Sequence, residues 1–97
     1  MRLPLYCSTA KGTEPNLVGL QHPALSSLPT LLVCPLRPDI ALTPLREKIY
    51  FADKEYIVAC DLIHPINRKA LRSMGELDPE PSSRIVVTFH LMLAQED

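Results

Sequence analysis

Proline is the feature that most restricts how this chain can fold. Ten of the 97 residues are proline, about twice the average share, and they are spread along the sequence. Each one fixes φ and removes a backbone donor, so it interrupts helices and central strands. The prolines therefore mark joints between short elements. A chain of this length buries a thin core, and we expect a single domain over residues 1–97 that a partner or a second copy stabilises.

Three segments in the first half have the composition of short β-strands. Residues 3–7 are a brief apolar run, and residues 17–21 form a second candidate strand after the turn-rich segment 8–16. Residues 30–36 (TLLVCPL) are almost wholly apolar, which is typical of a strand buried on both faces at the centre of a sheet. Pro35 predicts that this strand ends or bulges there.

The clearest local signal is a β-hairpin. Residues 47–51 (EKIYF) and 55–60 (EYIVAC) are β-rich runs that flank the short segment 52–54. The segment 37–46 contains two prolines, so we expect a loop or a weak edge there. After the hairpin, a connection leads into residues 68–77, which are interpreted as either one helical turn or a final strand.

The C-terminal segment predicts a helix. Asp78 can cap it, Pro79 is tolerated in its first turn, and Glu80 opposes the positive end of the helix dipole. An apolar stripe with helical spacing follows, formed by Ile85, Val86, Phe89, Met92 and Leu93. We expect this stripe, above all Ile85, Phe89 and Leu93, to lie in the core or in a dimer interface. The β-branched residues in it leave a strand as the alternative.

Composition argues against several classes of function. Ten Lys and Arg against eleven Asp and Glu give a net charge of -1, so the global basic field of a generic nucleic-acid binder is missing. Three glycines form no phosphate-binding loop, and the cysteines and histidines lack the paired spacing of a zinc site. Cys60 and His64 are interpreted as a buried thiol beside a surface histidine. We expect neither a metal nor a cofactor.

The hydropathy pattern predicts a soluble protein. The longest strongly apolar stretch, residues 28–36, is far below the ~20 residues of a membrane span and contains two prolines. The first residues carry too short an apolar region for a secretory signal. The expected location is the cytoplasm, with no membrane partner.

Three segments resemble the CcdB family of plasmid-maintenance toxins. In NLVGLQHPALSSLPTLLVCPLRP, a strand that ends near a glutamine precedes a short loop and a hydrophobic strand that ends in Pro-Leu. REKIYFADKEYIVACDLIHPINRKALRSMGEL resembles the hairpin and the glycine-terminated strand that CcdB shares with the MazF and PemK toxins, and SSRIVVTFHLMLA resembles their C-terminal helix. The likeness spans nearly the whole chain.

The resemblance implies a fold and partners. The fold would be mainly β, a small and partly open SH3-like β-barrel with a C-terminal α-helix. The protein would be the toxin of a type II toxin–antitoxin system, would form a homodimer, and would be neutralised by an antitoxin with a disordered tail.

Two mechanisms are known on this fold, and the first is inhibition of DNA gyrase. In the CcdB family a Trp-Gly-Ile tip after the helix inserts into gyrase. This chain has no tryptophan, and the corresponding target-binding residues are Met92, Gln95, Glu96 and Asp97. An acidic tip must be desolvated or stay in water, so the same contacts are not available.

The second mechanism is RNA cleavage, as in the MazF and PemK families. These toxins use an arginine at the start of the second main strand and a hydroxyl residue at the end of the central strand. The alignment places Pro15 or Asn16 at the first position and Arg37 at the second. RNA cleavage needs a base and a cation that stabilises the phosphorane, and Arg37 supplies only the cation.

The single basic cluster is Arg68, Lys69 and Arg72, which can contact phosphates or an acidic antitoxin tail. A solvated surface explains the same residues. Three hypotheses follow for the function: a CcdB-like toxin that binds and inhibits a macromolecular target such as gyrase, a divergent endoribonuclease, and an inactive homologue that only binds an antitoxin.

Overall fold

The computed structural model describes residues 1–20 and 29–94. This part of the chain forms seven strands and one helix: β1 (Pro4–Cys7), β2 (Leu17–Gly19), β3 (Thr30–Arg37), β4 (Arg46–Phe51), β5 (Lys54–Ala59), β6 (His64–Asn67), β7 (Arg72–Glu76) and α1 (Pro79–Ala94). Short 3₁₀ turns at Cys60–Leu62 and Arg68–Ala70 flank β6. The predicted mainly β fold with a C-terminal helix is confirmed.

The strands form one curled antiparallel sheet around β3. The order along the sheet is β4-β5-β3-β2-β1-β7, and β6 also pairs with β3. Residues 30–33 of β3 pair with β6 and residues 36–37 pair with β5 on one edge, while β2 pairs along the other edge. The prediction that residues 30–36 form a central strand is therefore confirmed.

Three prolines lie within the described strands: Pro4 at the first position of β1, Pro35 in β3 and Pro65 in β6. The sequence analysis misjudged Pro35 and Pro65. Strand β3 continues through Pro35 to Arg37 because Pro35 lies where that edge of β3 changes partner from β6 to β5. Pro65 lies inside β6, opposite Leu32, in a segment that was expected to be only a connection. Among the described strands β6 pairs with β3 alone, and such an edge tolerates a missing donor.

The hairpin is confirmed, with a tighter turn than expected. Phe51 pairs with Lys54, so the turn consists of Ala52 and Asp53 alone. Both have positive φ, 51° and 64°, as the two-residue turn that matches strand twist requires. The segment 68–77 combines both of its predicted alternatives, since the turn Arg68–Ala70 precedes strand β7.

Helix α1 covers one face of the sheet. Ile85 is fully buried in the core, and Val86, Phe89 and Met92 pack against it half-buried. Thr88 Oγ1 donates a hydrogen bond of 3.1 Å to Glu47 Oε1 on β4. Asp78, the expected cap, lies 3.1 Å from Arg2 Nη1 through Oδ1.

Strands β4 and β7, at the two ends of the sheet order, meet near Gly75. Its φ is +130°, a conformation that residues with a Cβ rarely adopt. A Cβ at this position would also lie 3.2 Å from Phe51 Cζ on β4. The sheet thus curls far enough for its end strands to touch through these two residues, as expected of a partly open barrel.

Candidate active site

A cleft lies between the β1–β2 loop and the end of β3. It has a volume of about 560 Å³ and is lined by residues 12–17 and 35–38, with Thr9 and Tyr56. Strand pairing explains the juxtaposition, because Leu17 at the start of β2 pairs with Pro35 near the end of β3. The cleft therefore forms where one loop opens next to the end of the central strand.

A carboxylate is held in this cleft by a distant lysine. Lys54 Nζ donates hydrogen bonds of 2.9 and 2.8 Å to the two carboxylate oxygens of Glu14. These hydrogen bonds raise the pKa of Lys54, so its ammonium group stays charged at neutral pH. The same ammonium lies 5.5 Å from the centre of the Tyr56 ring. The hairpin thereby fixes the position of the Glu14 side chain.

Hydrogen bonds hold the loop that carries Glu14 at two places. Next to the strands, Asn16 Nδ2 donates a 2.9 Å hydrogen bond to Ser8 Oγ, and Asn16 Oδ1 accepts one of 3.0 Å from the Ser8 backbone N–H. At its tip, Arg72 Nη2 on β7 donates to the carbonyl oxygens of Thr9 and Gly12. The loop is thus positioned before any ligand arrives.

Arg37 is the cation at the other wall of the cleft. It ends β3, lines the cleft and lies 3.6 Å from Asp39 through Nε and Oδ1. More than half of its side chain is exposed, so its guanidinium is available to a ligand. Pro15 and Asn16, which the alignment placed at the position of the family arginine, line the same cleft.

Glu14 is a candidate site residue that the sequence analysis did not name. It lies in a turn-rich segment, and its partner Lys54 is 40 positions away. No local pattern connects the two. A carboxylate that accepts a proton and a guanidinium that stabilises negative charge are the two components required for attack on a phosphodiester.

The basic cluster divides between two environments. Lys69 and Arg72 line a smaller pocket of about 260 Å³, which shares Thr9 with the main cleft. Arg68 is half-buried, and its backbone N–H donates a 3.0 Å hydrogen bond to the carbonyl of Pro29. The structure therefore places only Lys69 and Arg72 next to the candidate active site.

Most of the residues expected at a target-binding tip lie outside the described residues. Met92 is half-buried and packs against the core. Gln95, Glu96 and Asp97 lie outside the described residues, as does the predicted strand end at Gln21. Leu93 lies in α1, and only its backbone is described.

Cys60 and His64 do not form a nucleophile and base. Cys60 is fully buried, whereas His64 is exposed and its Nδ1 lies 3.1 Å from the carbonyl oxygen of Leu62. Asp61, between them, accepts hydrogen bonds of 3.0 and 3.2 Å from Arg46. The Arg46 guanidinium holds the pKa of this carboxyl below its usual range. The pair fastens the hairpin to the turn Cys60–Leu62.

Within residues 1–20 and 29–94, no group of three His, Cys, Asp or Glu side chains is arranged to hold a metal ion. None of the helices in the same ranges has the length and apolar character required to cross a membrane.

Comparison with known proteins finds a likeness in structure. No family model matches the sequence, and no curated protein matches it. A solved structure described as an endoribonuclease in complex with its cognate antitoxin, from a mycobacterial species, superposes with a TM-score of 0.75. The match covers 98% of this chain and 94% of that chain at 17% sequence identity. At that identity, the likeness shows that the two chains share a fold.

Proposed function

We propose that this chain is the toxin of a toxin–antitoxin pair and that it cleaves RNA in the cleft between the β1–β2 loop and β3. The observation that carries the proposal is the arrangement of Glu14, Lys54 and Arg37 at one cleft. It provides the carboxylate that the sequence analysis did not find. The shared fold with a protein described as an endoribonuclease bound to its antitoxin supports the same conclusion.

The proposed reaction is attack of a ribose 2′-oxygen on the neighbouring phosphorus. Glu14 takes the proton from the 2′-hydroxyl, the new O2′–P bond forms, and the P–O5′ bond breaks. The 5′-oxygen leaves with a proton from water, which reaches the exposed cleft. Arg37 stabilises the additional negative charge on the phosphorane oxygens. The products are a 2′,3′-cyclic phosphate and a free 5′-hydroxyl.

Gyrase inhibition through the C-terminal tip has less support. The chain lacks tryptophan, and Met92 packs against the core of its own domain. Binding of an antitoxin without catalysis remains the alternative, and it differs from the proposal only in the chemistry of the cleft.

The proposal retains the homodimer and the antitoxin as partners. Light scattering of the purified protein measures the first, and co-purification with the product of an adjacent acidic reading frame tests the second.

The test is inducible expression in a bacterial host, with growth, total RNA and plasmid topology followed in the same cultures. Wild-type protein is expected to arrest growth and fragment RNA. Arg37→Ala is expected to reduce the cleavage rate roughly 10²-fold, because a charge that stabilises the transition state is lost.

Arg2→Ala is the matched control. Arg2 is exposed to a similar degree, pairs with Asp78 and does not line either pocket. Growth arrest with intact RNA and gyrase-linked breaks in plasmid DNA would support the gyrase hypothesis instead. Unimpaired growth and intact RNA, together with tight binding to the antitoxin, would support a homologue without activity.

A further inference from the structure

The smaller pocket next to the cleft has the properties of an anion site. It is formed by residues 7–10, at the end of β1, and by residues 69–72, which connect the 3₁₀ turn to β7. Its volume of about 260 Å³ accommodates a phosphate with part of a ribose. Lys69 and Arg72 are the charged residues among its described lining, and no carboxylate lies among them. The pocket is therefore locally basic in a chain whose net charge is -1.

Hydrogen bonds hold the Arg72 side chain and the backbone turn that carries Lys69. The Lys69 backbone N–H donates a 2.9 Å hydrogen bond to Asn67 Oδ1, which fixes the turn that carries Lys69. Arg72 uses one guanidinium nitrogen, Nη2, for its bonds to the carbonyls of Thr9 and Gly12. A planar guanidinium held in this way presents its remaining N–H groups in a fixed direction, as recognition of a phosphate requires.

The two pockets are joined through one residue. Thr9 lines both, and the Arg72 guanidinium binds the same loop whose far side carries Glu14. A ligand that extends from one pocket to the other must cross Thr9. A nucleic-acid backbone carries a phosphate on every nucleotide, so neighbouring phosphates can occupy neighbouring basic pockets.

We propose that the pocket of Lys69 and Arg72 binds an RNA phosphate next to the scissile one, so that the bound strand lies across Thr9 with at least two of its phosphates held. This inference rests on the proposed function and extends its substrate site by one phosphate. Lys69 contacts the phosphate directly, and Arg72 also positions the loop.

The test measures binding without cleavage. The probe is a fluorescent hexanucleotide of randomised sequence, fully 2′-O-methylated so that no 2′-hydroxyl can attack. Lys69→Ala is expected to bind it about tenfold more weakly than wild-type protein. The slope of log affinity against log salt should fall by about 0.7, the value for one phosphate contact on a single strand. Lys48→Ala is the control, since Lys48 is an exposed lysine of β4 paired with Glu55.

Shortening the probe to a dinucleotide, with one phosphate, separates the two pockets. Wild-type protein should lose affinity on this truncation, and Lys69→Ala should lose much less because the flanking contact is already gone. Equal affinities of Lys69→Ala and Lys48→Ala for the hexanucleotide would overturn the proposal. Weaker binding of an acidic antitoxin peptide by Lys69→Ala, with RNA binding unchanged, would also overturn it and assign the pocket to the antitoxin.

These results are independent of catalysis. If the protein binds the hexanucleotide through Lys69 but does not cleave unmodified RNA, the proposed reaction fails and the phosphate pocket stands. If it cleaves RNA and Lys69→Ala binds normally, the reaction stands and the phosphate pocket fails.

Discussion

The two carboxylate oxygens of Glu14 accept hydrogen bonds from Lys54 Nζ at 2.9 and 2.8 Å. This contact joins the β1–β2 loop to the tip of the hairpin, and it holds a carboxylate at the edge of the cleft that Arg37 also lines. A second pair of the same kind, Lys48 and Glu55 at 3.0 Å, lies between β4 and β5, and neither residue lines the cleft. The chain thus contains its own control for every test of Glu14.

Glu14→Gln should abolish RNA cleavage while leaving RNA bound. The amide keeps the shape of the side chain but cannot take the proton from the 2′-hydroxyl, so kcat should fall about 10²- to 10⁴-fold. Affinity for RNA should be unchanged or higher, because a negative charge facing a polyanion is removed. Single-turnover cleavage and fluorescence anisotropy measure the two effects separately.

The matched variant distinguishes a catalytic carboxylate from a structural contact. Glu55→Gln breaks the equivalent lysine pair and should cleave RNA normally. Equal losses in the two variants would mean that the ion pairs only support the fold.

Ser82→Ala should destabilise the fold. Ser82 is fully buried in the first turn of α1, and its Oγ accepts a 2.9 Å hydrogen bond from the backbone N–H of Leu3. Alanine leaves that N–H buried without a partner, which costs about 1–3 kcal/mol of unfolding free energy. Urea denaturation measures the loss. Ser83→Ala, at the exposed neighbouring position, should change stability little, and a similar loss there would contradict the explanation.

Gly75→Ala should also lower stability, by about 1–3 kcal/mol, because a residue with a Cβ is strained at φ +130°. The Phe51 ring adds a second, weaker cost, because the new Cβ would lie 3.2 Å from its Cζ atom. The double variant Phe51→Ala with Gly75→Ala separates them in a double-mutant cycle. If Gly75→Ala costs no stability once the ring has been removed by Phe51→Ala, the backbone explanation is wrong.

The stabilising effect of Asp61 should depend on pH. Hydrogen bonds from Arg46 lower the pKa of Asp61 below its usual value of 3.8, so the unfolded chain binds the proton more tightly than the folded one. The stabilisation is therefore complete above the usual pKa and is lost as pH falls through the lowered value. Asp61→Asn should be less stable than wild-type protein at pH 7, and the difference should shrink as the pH falls below 3.8.

Asp53→Asn is the control for this comparison, since Asp53 lies in the exposed hairpin turn, where asparagine also tolerates positive φ. Its free energy of unfolding at pH 7 should be close to that of wild-type protein, because Asp53 forms none of the described ion pairs. A gap between Asp61→Asn and wild-type protein that is constant from pH 7 to pH 3 would contradict the ion-pair account.

Most of the fold could be predicted because its signals are local. The hairpin was found within one residue at each strand, since β-rich runs flank a short turn in the sequence itself. The helix start at Pro79 follows from Asp78, Pro79 and Glu80. Strand β6 was missed because Pro65 argues against a strand unless the segment is known to pair on one side only, and that depends on tertiary structure.

The site was predictable only in part. Arg37 was named because the alignment with the MazF and PemK toxins placed it at their hydroxyl position, and the structure places it at the wall of the cleft. Glu14 was not identified, because its role depends on contacts with residues 40 positions later in the chain. Arg68, Lys69 and Arg72 looked equivalent in sequence, and only the path of the chain around the turn Arg68–Ala70 separates Lys69 and Arg72 from Arg68.

The most direct test of the central claim is to incubate the purified protein with a long single-stranded RNA and to map the ends of any fragments. The account predicts discrete fragments with 2′,3′-cyclic phosphate and 5′-hydroxyl ends from wild-type protein and from Glu55→Gln, and uncut RNA from Glu14→Gln. RNA that stays intact with folded wild-type protein, or that Glu14→Gln cleaves as fast as Glu55→Gln, would contradict it.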